Sequence, residues 1–111
     1  MNKKLYISKK IKAIGAVVYY YLVADRYEDI ENGISTYTFG IEVIKSQKDR
    51  FGVEFMQRKT ISSLSVSKDK VLEFLTVLSD NDVMPIGVLD IVEDYNADGF
   101  FEKDVIVRKT A

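Results

Sequence analysis

The apolar period of this chain changes once, near Ser67, and the change separates a strand half from a helix half. Side chains on a strand alternate faces at every residue, whereas a helix returns to the same face after three or four. Lys4–Lys12 alternates, with Leu5, Ile7 and Ile11 on one face and Tyr6, Ser8, Lys10 and Lys12 on the other. Gly15 ends that run. Ala16–Asp25 is β-branched and aromatic and apolar on both faces, as a central, doubly covered strand would be. Glu28–Ser35 contains Asn32-Gly33, a pair that accepts positive φ, and predicts a hairpin turn. Thr36–Lys45 then aligns Tyr37, Phe39, Ile41 and Val43 on one face. A second turn at Lys48–Gly52 leads into a strand over Val53–Ile61, where Phe51, Val53 and Phe55 oppose Glu54, Met56 and Arg58. Sequential strands of this kind pair as neighbours in a meander.

From Ser67 onward the period is helical. The Ser67 hydroxyl suits an N-cap, and Val71, Leu72, Phe74, Leu75 and Leu78 form one broad stripe behind it. Ser79–Asp82 ends that helix. Pro85 fits the first turn of a second helix, whose apolar face is Val88, Leu89, Ile91, Val92 and Tyr95. Gly99 suits its end. Residues 100–111, with Val105, Ile106 and Val107, read either as a final strand or as a frayed end. The expected fold is a single α+β domain over residues 1–111. It is an antiparallel β-meander of about four strands followed by two helices packed on one sheet face. The stripe Val71/Leu75/Leu78 should meet the row Tyr37/Phe39/Ile41/Val43.

The 111 residues include no histidine and no cysteine. Histidine is the usual proton shuttle near neutral pH, and cysteine supplies the thiolate for covalent catalysis, disulfides and structural zinc. The expectation is a non-catalytic protein with no catalytic residue and no cofactor. Sixteen basic and seventeen acidic side chains leave a net charge of −1, so no global field draws in nucleic acid. Lys9, Lys10 and Lys12 interrupt any signal-type apolar core, and the apolar stretch 14–24 is shorter than the ~20 residues a membrane span needs. Cytoplasmic residence is the expectation, with no membrane partner.

Four clusters are candidate sites. Asp94-Tyr95-Asn96-Ala97-Asp98-Gly99 matches the first half of a calcium loop, in which side chains at positions 1, 3 and 5 converge on the ion. Asp94, Asn96, Asp98 and Glu102 are the candidate metal ligands. The twelfth position, where the full loop needs a bidentate Glu, holds Val105. Lys3, Lys4, Lys9, Lys10 and Lys12 surround Tyr6 near the N-terminus; such lysines either hold phosphates or guard an edge strand against unwanted pairing. Tyr19, Tyr20 and Tyr21 alternate faces, so they cannot form one stacking platform. Tyr6, Tyr20 and Tyr37 are assigned to a partner surface. Asp25, Glu28, Asp29 and Glu31 read as a solvated turn.

The segments Thr36–Lys45 (TYTFGIEVIK) and Val66–Tyr95 (VSKDKVLEFLTVLSDNDVMPIGVLDIVEDY) resemble a small uncharacterised bacterial family. The resemblance implies a sheet half with a GIE-type strand and a helical half with a proline between two helices. It covers the chain to about Tyr95 and brings no activity, cofactor or catalytic residue. The expected function is a small cytoplasmic protein–protein interaction or regulatory domain, self-associating through the sheet as a dimer in its simplest version. The alternative is a calcium- or ligand-binding regulatory protein using Asp94–Glu102.

Overall fold

The computed structural model describes residues 2–101. Four strands follow one another, β1 (Asn2–Ile11), β2 (Ala16–Asp29), β3 (Ile34–Lys48) and β4 (Glu54–Ser65). Two helices complete the described chain, α1 (Lys68–Asp80) and α2 (Pro85–Ala97). The strands pair antiparallel in the order β1-β2-β3-β4, each beside its chain neighbour. This is the α+β meander that the change of period implies. The β2–β3 hairpin is longer than its alternation indicates. β2 runs to Asp29 and β3 begins at Ile34, so Asp25 and Glu28 stand in the hairpin arms rather than in a loop. Residues 102–111, including the tail read as strand or frayed end, lie outside the described residues.

Both helices lie on one sheet face. Val18, Tyr20 and Leu22 of β2 and Ile41 and Val43 of β3 share a core with Val71, Phe74, Leu75 and Leu78 of α1 and Val88 and Val92 of α2. Each side chain of this size contributes roughly 1.5–3 kcal/mol when fully buried. Stripe and row therefore meet as their spacing requires, except that Tyr37, at the end of the row, is 53% exposed. Ser67 caps α1 by accepting the Lys70 N–H at 3.3 Å. Phe74 meets the edges of Tyr95 and Phe101, both at 5.0 Å between centroids, which closes the seam where α2 returns past α1.

Two bulges shift faces that simple alternation misplaces. In β1, Leu5 pairs with Tyr21 but Ile7 pairs with Tyr20. Tyr20 and Tyr21 point to opposite faces, so Leu5 does not share a face with Ile7 and Ile11. Tyr6, the extra residue, reaches α1 instead, its hydroxyl 2.7 Å from Thr76 Oγ1. In β4, residues 62–64 separate Ile61 from Ser65, whereas Gly40 alone separates their partners Ile41 and Phe39. The excess length bends β4 across the face that the helices leave open. A Cβ on Gly40 would point to that face, collide with the Ile61 carbonyl oxygen and sit 2.8 Å from Ser62 Cα. Ser63 takes a positive φ of 56° there, and its hydroxyl lies 2.9 Å from Thr38 Oγ1.

Two glycines should consequently respond with opposite signs. Gly40→Ala forces β4 off β3 and should cost on the order of 3 kcal/mol. Gly87 sits inside α2, and a Cβ there would meet nothing nearer than Val83 Cγ1 at 3.8 Å. Gly87→Ala should add about 0.5–1 kcal/mol. Urea unfolding measures both, and an unchanged midpoint for Gly40→Ala would contradict the packing described.

Candidate functional site

The open sheet face carries a buried carboxylate at its centre. Glu42 of β3 is 2% exposed. Lys3 Nζ of β1 donates to its Oε1 at 2.6 Å, and Thr60 Oγ1 of β4 donates to its Oε2 at 2.5 Å. Arg58 Nε of β4 stands 3.9 Å from the same Oε2. The Lys3 ammonium also lies over the Tyr21 ring, 4.8 Å from its centroid. One side chain thus ties both outer strands of the sheet to its middle. Burial by itself pushes the Glu42 acid up; the hydrogen bonds from Lys3 and Thr60 and the positive charges of Lys3 and Arg58 outweigh it and hold the group below 4.5. A carboxylate so fully engaged is an anchor rather than an acid or base in waiting.

A second feature lies at the outer edge of β4, which no described strand pairs. Gln57, Arg58 and Lys59 of β4 and Pro85, Ile86, Leu89 and Asp90 of α2 line a groove of about 390 Å³. Ile86 is 87% exposed, and Leu89 is also exposed. The β3–β4 hairpin presents Phe51, Val53, Phe55 and Met56 to solvent, Phe51 at 77%. The apolar residues of this end fit no helix. Alternation placed them on the faces of an ordinary strand. The signal available in the sequence was the excess of apolar residues in the second turn and the next strand over what two helices can cover.

The residues singled out in the sequence mostly serve the fold. Tyr20, assigned to a partner surface, is instead fully buried in the core. Its hydroxyl donates to the Val83 carbonyl at 2.9 Å. Burial first, and then the charge of Asp82, push its pKa to about 12. Tyr6 and Tyr37 are exposed, on β1 and β3, with β2 between them. Lys3 turns inward to Glu42, and Lys9 reaches α1, donating to the Ser79 carbonyl at 2.7 Å and pairing with Asp82 at 2.6 Å. Asp29 accepts the Asn32 backbone and side-chain N–H groups and so shapes the hairpin turn.

The described calcium-loop residues stand on α2 and at its C-terminal end. α2 continues through Ala97, so Asp94 and Asn96 are helical residues two positions apart, roughly 200° around the axis, and do not converge. Asp98 follows as the C-cap, its N–H bonded to the Asp94 carbonyl at 3.2 Å. Glu102 lies outside the described residues. Among the described residues, no group of three or more His, Cys, Asp or Glu side chains could hold a metal ion.

A family model described as a family of unknown function, DUF6514, matches residues 2–98. The chain belongs to this family. No curated protein and no solved structure matches it. The span matched to DUF6514 takes in all four strands and both helices. It includes the GIE triplet, whose three residues now have separate tasks. Gly40 admits the bend of β4, Ile41 enters the core and Glu42 anchors the open face. For this DUF6514 domain the buried charge makes a pH prediction. The unfolded carboxyl titrates near 4.5 and the folded one lower, so its stabilisation is complete above about 4.5 and is lost as pH falls through the folded value. Glu42→Gln should cost about 1.5–3 kcal/mol at pH 7. Its unfolding midpoint should also vary less with pH than the wild type's below pH 4.5. Parallel pH profiles in urea melts would contradict this.

Proposed function

We propose that this chain is a small, non-catalytic, cytoplasmic binding domain that takes an extended segment of a protein partner along the outer edge of β4, beside α2. The carrying observation is the coincidence of three features in one place: a strand edge that no described strand pairs, a groove of about 390 Å³ beside it, and exposed Ile86 and Leu89 on its wall. An edge strand offers a row of N–H and C=O groups that a second strand can complete, and neighbouring pockets then select alternate side chains. The other edge is built differently. β1 carries Lys3, Lys4, Lys9 and Lys10, charges of one sign that block strand addition, whereas β4 carries both signs in Glu54, Arg58 and Lys59. Contiguous apolar surface of this kind favours a macromolecular partner over a small ligand. The absence of histidine and cysteine supports a binding role over a catalytic one.

Selection from a library of extended random peptides tests this reading. Selected peptides should bind the wild type and lose about tenfold or more in affinity on Ile86→Asp or Leu89→Asp, a burial-sized effect. Both positions are exposed, so the fold should be kept. Peptides that bind all three proteins equally, or a library that yields none, would contradict it.

A further inference from the structure

We infer that the segment received by the β4 edge is β4 of a second copy, paired antiparallel about a two-fold axis at Met56. The inference rests on the binding reading above and commits it to one occupant. The charge pattern sets the register. Glu54, Met56 and Arg58 lie on the open face of β4, and the pairs Lys48↔Glu54, Ser46↔Met56 and Ile44↔Arg58 fix that placement. If Met56 faces the partner's Met56, Glu54 stands opposite the partner's Arg58, and Arg58 opposite the partner's Glu54. Opposite charges directly across an antiparallel pair attract, and two such pairs would flank the central methionines. Moving the axis to Gln57 would put Met56 against the partner's Arg58 and leave Glu54 facing a threonine. Moving it to Arg58 would set the two arginines against each other.

The other face fits the same register. Phe55, Gln57 and Lys59 point to the helix side, where Gln57 and Lys59 line the groove with Ile86 and Leu89. With the axis at Met56, Gln57 lies opposite the partner's Phe55 and Lys59 opposite the partner's Val53. Each copy would therefore lay Phe55 and Val53, both exposed in the single chain, onto the other copy's groove. The two faces have different chemistry, yet one register satisfies both. Such a contact is isologous and closes on itself, so it gives a dimer with a continuous sheet rather than a fibre.

The native chain has no cysteine, which makes a direct test available. Met56→Cys places a thiol on the axis, and directly opposed strand residues come within roughly the 4.4–6.8 Å between Cα atoms that a disulfide needs. Under mild oxidation this variant should form covalent dimers about tenfold or more faster than Ile30→Cys, a probe at the far hairpin tip. Light scattering of the wild type should show a concentration-dependent dimer. Glu54→Arg, which within the chain loses an exposed bond from Ser46 and the opposite charge across from Lys48, should weaken that dimer about tenfold or more at low salt by setting arginine against the partner's Arg58. Circular dichroism melting checks that this variant stays folded. A strict monomer at about 1 mM would overturn the inference. So would a dimer in which Ile30→Cys cross-links as fast as Met56→Cys. If either occurs while Ile86→Asp still abolishes peptide capture, self-pairing fails and the groove's role as a binding site stands.

Discussion

A single ionised carboxylate, buried in the middle of β3, is what the outer strands of this sheet are fastened to. Lys3 reaches it from β1, Thr60 and Arg58 from β4. Hydrogen bonds to a charged group contribute about 1.5–3 kcal/mol each. Moving a carboxylate out of water costs several kcal/mol, and its partners must first offset that cost. The net gain is modest, but the geometric consequence is large. An apolar side chain at position 42 could bury itself in many registers, whereas this carboxylate is satisfied when Lys3 and Thr60 both stand within hydrogen-bond reach. The Gly40 gap beside it acts in the same sense, because β4 can bend over the open face where no Cβ intervenes. Register and curvature of β4 are thus both set within three consecutive residues of β3.

That arrangement decides which surfaces remain for other work. On the helix side, the core uses the inward row of β3 and both helical stripes. On the open side, Glu42 and its partners occupy the centre. The outer edge of β4 and the first turn of α2 are left with apolar side chains that neither layer takes up. The two edges of the sheet are treated unequally. β1 is lined with lysines, two of which also turn inward to hold Glu42 and α1, while β4 mixes Glu54, Arg58 and Lys59 with the exposed Phe55 and Met56.

Much of the architecture was legible because it is periodic. The switch from alternation to helical spacing at Ser67, the cap at Ser67 and the proline at the head of α2 each have a local cause and are found where that cause puts them. The bulges were not legible. A bulge resets the alternation, and a one-residue offset sends every later side chain to the other face. Simple alternation puts Leu5 on the face of Ile7, and the bulge puts it on the other. A run of three tyrosines shows which residues alternate but not which face the helices cover, so it does not mark Tyr20 as core. Asp94, Asn96 and Asp98 match a calcium loop by residue type alone, and the helical backbone through Ala97 removes the turn that the match assumes. Glu42 was missed for a different reason. Its partners stand 39 and 18 residues away along the chain, and no local pattern announces a contact that the meander creates.

The most direct test of this account is the titration of the Glu42 carboxyl itself, followed through its side-chain carbon resonance by NMR. The account predicts a midpoint below 4.5, accompanied by movement of the Lys3 and Thr60 signals as the proton arrives. A midpoint at or above 4.5 would mean that burial outweighs the partners, and that the carboxylate does not hold the two outer strands.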